Sequence, residues 1–92
     1  ASNHEAVFFH RNSNRAARIA LGSSINLMEN ILDGKIDNGF AIIRPPGHHA
    51  MHDDPKGYCY FNNAAIVAKL AIEKYKLNRI LVLDWDVHHG QG

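Results

Sequence analysis

Residues 80–92 of this chain read ILVLDWDVHHGQG. Four aliphatic residues run directly into two carboxylates and two imidazoles, with one tryptophan between the acids. A short apolar run of this kind, bounded by polar residues, is typical of a buried strand. Acidic and imidazole groups at the end of a buried strand are costly unless they are paired or bind a metal. The stretch therefore predicts a strand over residues 79–83 that leads into a polar, ion-binding loop.

The composition is typical of a globular domain and excludes several classes of protein. The chain has 92 residues, a formal net charge of +1 and 46% hydrophobic residues. So small a charge gives no field that would draw the chain to nucleic acid or to a membrane surface. No apolar run reaches the roughly 18 residues of a membrane helix. The single cysteine, Cys59, cannot form an internal disulfide and fits a reducing compartment.

The apolar spacing predicts alternating strands and helices. A first helix is expected from the N-cap candidates at residues 12–14 to Leu32, followed by Gly34 in a left-handed cap. A second helix is expected over residues 62–74. Three short apolar runs are predicted strands, at residues 6–9, 40–43 and 79–83. This order of elements predicts an α/β fold in which a parallel sheet is connected by crossover helices.

Asp86 and His88 are the candidate metal ligands. In an extended chain, residues two apart point to the same side, so the pair can offer one oxygen and one nitrogen to a single ion. Catalytic zinc takes about three protein ligands, so a third ligand must come from elsewhere in the fold. The alternative is a capped strand end with solvated charges. It is the weaker interpretation, because two acids and two histidines at the end of an apolar strand are hard to explain without a function.

His48 and His49 are the candidate proton-transfer groups. They follow the break Pro45-Pro46-Gly47 after the second predicted strand, and ligands of open α/β sheets bind beyond such strand ends. Imidazole ordinarily titrates near neutral pH and is a common general base. Asp84 is the expected carboxylate behind one of the two rings, where it would fix the tautomer. A histidine pair alone is more often a surface or core feature, but the second motif favours a function.

Residues 57–61, with the sequence GYCYF, form an aromatic-rich loop. They are interpreted either as the apolar wall of a substrate channel, in which Gly57 lets a ligand approach the backbone, or as ordinary aromatic core. The segment alone favours neither interpretation. Cys59 is interpreted as a buried apolar residue rather than a nucleophile.

Four motifs together resemble the zinc-dependent histone deacetylases. They are RPPGHHA at 44–50, GYC at 57–59, FNN at 61–63 and DWDVHHGQG at 84–92. The double proline and the tryptophan between the acids resemble class II. The Gly-Gln-Gly ending resembles class IIb, in particular the first catalytic domain of the tandem tubulin-type deacetylases. The resemblance covers nearly all of the chain and implies an arginase-like catalytic domain, of which residues 1–92 are expected to be a part that continues further.

The resemblance implies a role for each polar residue of the two loops. Asp86 and His88 would be two of the zinc ligands. His48 and His49 would be the tandem histidines beside the zinc, with Asp84 as the carboxylate behind His48.

The resemblance also implies a substrate tunnel and a second ion. The carbonyl of Gly57 would accept the substrate amide N–H, and Tyr58 would line the tunnel for acetyl-lysine. A structural potassium ion would bind Asp84, Asp86 and the carbonyl of His88. The third zinc ligand and a tyrosine that stabilises the transition state would lie outside this chain, so residues 1–92 alone are expected to be inactive.

Gln91 is a departure from the class I pattern. Class I members carry an aspartate at this place, behind the second histidine. An amide cannot stabilise an imidazolium as a carboxylate does, so His49 is expected to be a weaker base than the corresponding histidine of class I members.

The implied activity is hydrolysis of acetyl-lysine in histones, tubulin or other proteins, which yields lysine and acetate. The implied partners are acetylated proteins together with corepressor or cytoskeletal proteins, in the cytoplasm or the nucleus, where a deacetylase would regulate chromatin and transcription. Neither nucleic acid nor a membrane is an expected partner. Two alternatives stay open: a polyamine deacetylase of the same family, and a catalytically silent domain that acts as a scaffold.

Overall fold

The computed structural model describes residues 12–51 and 61–92, in which the regular elements are two helices. Helix α1 spans Ser13–Leu32 and helix α2 spans Asn63–Tyr75. Both predicted helices are confirmed. Helix α2 begins and ends one residue later than predicted. Within these two ranges, no helix combines the length and the apolar character that crossing a bilayer requires.

The end of α1 follows the predicted signal, whereas its start does not use the predicted cap. Gly34 has a φ of +79°, the left-handed conformation that glycine adopts without strain. Its N–H donates to the carbonyl of Ile31 at 3.1 Å. Asn12 is the N-cap residue, but its side chain makes no capping hydrogen bond. The first turn of α1 therefore lacks the side-chain cap that the sequence offers there.

Helix α2 is capped at both ends. Asn62 is its N-cap residue, and the Oδ1 of Asn62 accepts the N–H of Ala65 at 3.1 Å. At the other end Lys76 adopts a left-handed conformation with a φ of +59°, and its N–H donates to Ile72 at 3.0 Å. These caps satisfy backbone groups that a helix terminus otherwise leaves without partners.

The last turns of the two helices are tied together by polar contacts. Lys74 forms an ion pair with Glu29, and the hydroxyl of Tyr75 donates to Asp33 at 2.9 Å. The hydrogen bond from Lys74 to Glu29 raises the pKa of the Lys74 ammonium. Partial desolvation raises the pKa of Tyr75, and the bond to Asp33 adds to this shift. The carboxyl ends of α1 and α2 therefore lie side by side.

The predicted strands at residues 40–43 and 79–83 are wrong for the part of the chain that the structure describes, because neither segment forms a strand there. A strand requires backbone hydrogen bonds to a neighbouring strand, and apolar patterning alone does not supply that partner. Both segments instead lie beside the helices and line, with α1 and α2, an apolar cavity of about 600 Å³. The predicted strand at residues 6–9 lies outside the described residues.

Much of the apolar surface of these segments and of the loop that follows residue 83 is open to solvent. The most exposed side chains alternate along the chain: Leu81 is 89% exposed, Trp85 91% and Val87 93%. Ile42 in the other segment is 91% exposed. Apolar patches of this kind are usually covered by further protein. The polar site described below lies between this apolar face and the start of α2.

Candidate functional site

His48 and His49 are the two central residues of a tight turn. The N–H of Ala50 donates to the carbonyl of Gly47 at 3.0 Å and closes the turn. The centroids of the two imidazole rings lie 4.0 Å apart, and the ring planes are inclined by 42°. The predicted histidine pair is therefore presented from a single backbone turn.

His48 is held by a carboxylate from a distant part of the chain, as predicted. Its Nδ1 lies 2.7 Å from Oδ2 of Asp84, which is 36 residues away. An ionised carboxylate only accepts, so Nδ1 carries the proton of this hydrogen bond. The bond from His48 lowers the pKa of the Asp84 carboxyl, and the backbone N–H of Asp86 lowers it further. The remaining ring nitrogen of His48 lies 3.7 Å from Oδ2 of Asp86.

His49 is held in the same way by an amide. Its Nδ1 lies 2.7 Å from Oε1 of Gln91, which is 42 residues away. An amide oxygen only accepts, so Nδ1 again carries the proton, and Nε2 of the neutral ring is the proton-accepting nitrogen. The structure thus places Gln91 behind the second histidine, as the resemblance implied, and gives the two rings partners of different charge.

Two successive Asx turns shape the loop that carries the acids. Oδ1 of Asp84 accepts the N–H of Asp86 at 3.1 Å, and Oδ2 of Asp86 accepts the N–H of His88 at 2.7 Å. Asp side chains form such local bonds readily because they reach the backbone two residues ahead. The backbone bond from His88 lowers the pKa of Asp86, and the His88 ring adds to this shift. The spacing Asp-x-Asp-x-His is thus the reason for the local geometry.

The two predicted metal ligands are in direct contact. Nδ1 of His88 lies 2.8 Å from Oδ2 of Asp86, so the nitrogen and the oxygen are hydrogen-bonded to each other. Imidazole nitrogen and carboxylate oxygen are both donors that zinc accepts. Among the described residues, no group of three or more His, Cys, Asp or Glu side chains is arranged to hold an ion. The pair fits zinc in kind but is one ligand short of a catalytic site, and the potassium site stays a prediction.

Gly90 is required by close packing at the site. A Cβ atom at this position would overlap Oδ2 of Asp84 and would lie 3.0 Å from Nδ1 of His48. With any other residue at position 90, the chain could not pass behind this hydrogen bond unless Asp84, His48 or the backbone shifted. Sequence reasoning did not assign this role to Gly90, although its place between His89 and Gln91 was the available signal.

A cleft of about 790 Å³ opens beside the polar residues. Its wall includes His48, Asp84 and Asp86, together with Pro46 and Trp85. This volume is within the range of small-molecule pockets. The two predicted substrate-binding residues, Gly57 and Tyr58, lie outside the described residues, so their roles stay predictions.

Comparison with known proteins confirms the resemblance. The histone deacetylase domain matches residues 1–92. Polyamine deacetylase HDAC10 of Rattus norvegicus is 49% identical over 89 residues, which are 97% of this chain and 15% of the relative. The protein of the same name from Homo sapiens is 49% identical over 88 residues (96% of this chain, 13% of the relative). That from Danio rerio is 48% identical over 86 residues (94% and 13%).

The chain therefore spans 13–15% of the length of these curated relatives. The relatives are class IIb members, in agreement with the class inferred from the motifs. The match over every residue, together with these identities, shows that the chain belongs to the histone deacetylase domain family, for which an arginase-like α/β fold is implied.

Proposed function

We propose that this chain is part of the catalytic domain of a zinc-dependent deacetylase that hydrolyses an acetylated amine to the free amine and acetate. The observation that carries the proposal is the pair of hydrogen bonds from His48 to Asp84 and from His49 to Gln91, each 2.7 Å long. Both rings are anchored through Nδ1, so both can present Nε2 to a reacting group. Anchored imidazoles of this kind are typical of general acid–base catalysis.

The residues at the site divide the reaction between them. Asp86 and His88 would hold zinc together with a third ligand, and bound zinc supplies a Lewis acid for the acetyl carbonyl. Nε2 of His49 would take the proton of the attacking water and give it to the leaving amine nitrogen. His48, held by Asp84, would stabilise the negative charge that develops on the acetyl oxygen.

The identity of the amine is the finer part of the proposal. The motifs imply acetyl-lysine in proteins as the first candidate and an acetylated polyamine as the second. The relatives at 48–49% identity are named polyamine deacetylases, and this favours the polyamine over the protein substrate. Acetylated proteins as partners and a cytoplasmic or nuclear location remain proposals.

The proposal of a partial domain is supported by the exposed apolar face and by the length of the relatives. Leu81, Trp85 and Val87 are each about nine-tenths exposed, and this chain spans only 13–15% of those relatives. The remaining part of the domain would cover this face. It would also supply the third zinc ligand and the tyrosine that the family resemblance implies.

Turnover by the full-length protein tests the proposed function. The zinc-loaded protein is given an N-acetylated polyamine and an acetyl-lysine peptide, and acetate release is measured for each. We expect release from the polyamine to exceed that from the peptide, and His49→Ala to lower it by about 10²- to 10⁴-fold. Release from the peptide alone would favour the protein substrate. No release from either would contradict the proposal and favour the silent scaffold.

A further inference from the structure

The Asn62 side chain joins the start of α2 to the histidine turn. Its Oδ1 accepts the N–H of Ala65 at 3.1 Å, which is the N-cap bond of the helix. Its Nδ2 donates to the carbonyl of Ala50 at 3.3 Å. Ala50 is the last residue of the turn and is only 2% exposed. One side chain thus makes contacts in two directions, toward the helix and toward the turn.

These two partners fix the orientation of the Asn62 amide. The N–H of Ala65 can only donate, so the oxygen of the amide must face it. The carbonyl of Ala50 can only accept, so the nitrogen must face that side. Aspartate could replace the capping oxygen but has no N–H donor, and serine offers a single, shorter hydroxyl in place of two separate polar atoms. The position therefore requires a side chain with an acceptor atom and a separate donor atom.

The backbone of the turn is also held from the segment that carries Gln91. The N–H of Gly92 donates to the carbonyl of His48 at 3.0 Å. A Cβ atom at Gly92 would overlap the carbonyl oxygen of Ala50 and would lie 2.6 Å from Nδ2 of Asn62. Gly92, Asn62 and the turn therefore meet at a single crowded point.

A second asparagine holds the entry to the same turn. Nδ2 of Asn63 donates to the carbonyl of Pro45 at 3.4 Å. A Cβ atom at Gly47 would overlap the carbonyl oxygen of Phe61 and lie close to the backbone nitrogen of Asn63. The turn is thus packed directly against the start of α2, and its backbone follows the position of that helix.

We propose that Asn62 is a positioning residue for His48 and His49. Asp84 and Gln91 fix the rotation of the two rings, whereas Asn62 fixes the backbone from which the rings project. Loss of the bond to Ala50 would let the turn shift relative to α2, and shifts of about 1 Å at a reacting group can lower a rate by about 10²-fold. The kinetic part of this inference rests on the proposed function, and the geometric part does not.

Asn62→Asp in the full-length protein separates positioning from capping. Aspartate is as good an N-cap as asparagine, so α2 keeps its start and Tm stays close to that of the wild type. The carboxylate has no N–H for Ala50, and two oxygens then face each other. We expect kcat to fall by about 10- to 100-fold, with KM changed by less than about twofold. The amide signal of Gly92 and the ring nitrogen signals of both histidines shift in NMR spectra.

Three further variants serve as controls. Asn62→Ser keeps a capping oxygen without adding charge, so it should show a loss of kcat in the same direction. Asn62→Ala removes both bonds and should lower kcat and Tm together. Asn14→Asp makes the same chemical change on α1, where Oδ1 of Asn14 only accepts from Arg18 at 2.9 Å. This last variant should keep the wild-type kcat and the wild-type NMR signals of Gly92 and the two histidines, with at most a small rise in Tm from the charge placed beside Arg18.

Two results would overturn the inference. One is a kcat for Asn62→Asp equal to that of the wild type, with unmoved signals for Gly92 and the histidines. The other is a loss of Tm in Asn62→Asp as large as that in Asn62→Ala, which would reduce the role of Asn62 to capping. If the wild-type protein releases acetate from neither substrate, the proposed function fails, and the NMR signals still decide whether Asn62 holds the turn.

Discussion

Nδ1 of His49 donates to the side-chain oxygen of Gln91 at 2.7 Å, whereas the neighbouring ring of His48 donates at the same distance to a carboxylate. Two adjacent imidazoles in one turn thus share the same geometry and differ in the charge behind them. A carboxylate stabilises an imidazolium far better than an amide does. This difference in the partner behind each ring is the basis for the separate roles that we propose for His48 and His49.

Gln91→Glu should remove this difference, because both rings would then have a carboxylate behind them. A carboxylate at position 91 would stabilise the protonated ring of His49, so the proton-accepting form would be reached only at higher pH. We expect the acid limb of the profile of kcat/KM against pH to move upward by about one unit. Steady-state rates across the pH range measure this shift. Gln91→Asn, which keeps an amide, is the control, and an unmoved limb in Gln91→Glu would contradict the assignment.

Asp84→Asn should lower activity without unfolding the site. The amide keeps only one of the two oxygens, so it can still accept from His48 through the position of Oδ2, but it loses the bond from the backbone N–H of Asp86 to Oδ1 and no longer balances charge on the ring. Loss of a group that orients a catalytic ring typically reduces activity by about 10- to 100-fold. Asp37→Asn, at an exposed position away from the site, is the control. Equal kcat in Asp84→Asn and the wild type would remove the carboxylate from the mechanism.

Gly90→Ala should displace the hydrogen bond between His48 and Asp84. The added methyl group would overlap Oδ2 of Asp84, and either that side chain or the backbone at position 90 must move to relieve the contact. We expect a loss of kcat at least as large as for Asp84→Asn, together with a shift of the ring signals of His48 in NMR spectra.

Gly22→Ala is the matched control for Gly90→Ala. A Cβ atom at Gly22 in α1 would meet no atom within 4 Å. Because alanine is the better helix former by about 0.8–1 kcal/mol, the free energy of unfolding should rise by up to that amount. Activity should not change. Denaturant unfolding measures the rise, and a fall in stability would mean that α1 is packed more tightly at Gly22 than the structure indicates.

Stability should decrease at alkaline pH through the contacts that join α1 to α2. The pKa of Lys74 is raised by Glu29, and that of Tyr75 by partial desolvation and then by its bond to Asp33. When a group has a higher pKa in the folded protein than in the unfolded chain, it stabilises the fold fully at pH values below its unfolded-state pKa. That stabilisation is lost as the pH rises through its folded-state pKa. We therefore expect the free energy of unfolding to fall above pH about 10.

Glu29→Gln tests the source of this alkaline loss. The amide at position 29 removes the largest contribution to the Lys74 shift. The variant should be slightly less stable than the wild type near neutral pH and should lose less stability as the pH rises. Denaturant unfolding at several pH values compares the two slopes. Identical slopes would contradict a role for this ion pair.

Zinc should bind far more weakly to residues 1–92 than to the full-length protein. Asp86 and His88 offer one oxygen and one nitrogen, whereas catalytic zinc takes about three protein ligands. Equilibrium dialysis followed by metal analysis measures both proteins. His88→Ala in the full-length protein should abolish stoichiometric binding. Tight, stoichiometric binding by residues 1–92 would show that the described pair is not the ligand set.

The elements that were predicted correctly depend on local signals. The apolar spacing of α1 and Gly34 at its end specify a helix and its stop within a few residues. The strands at 40–43 and 79–83 were wrong because a strand depends on a partner that the local sequence does not specify. Within the described residues these apolar runs specified neither a strand pairing nor burial, since Ile42 and Leu81 are 91% and 89% exposed.

The sequence predicted which polar side chains of the site pair with each other, but not the residues that hold their backbone in place. Asp84 with His48, and Asp86 with His88, followed from the loop positions and the residue spacing. The double role of Asn62 was missed, because the sequence showed a helix start but not the carbonyl of Ala50 beside it. Gly90 was missed for the same reason, since close approach of a backbone to distant side chains leaves no periodic signal.

The two Asx turns have a consequence for how this loop tolerates change. In each turn, an acid fixes the position of the residue two places ahead. Asp84 accepts the backbone N–H of Asp86, and Asp86 accepts the backbone N–H of His88. The intervening side chains, Trp85 and Val87, take no part in these bonds and are 91% and 93% exposed. Substitutions at positions 85 and 87 can therefore change the apolar surface without moving Asp86 or His88. Inserting or deleting one residue would break the two-residue spacing and displace both of these side chains.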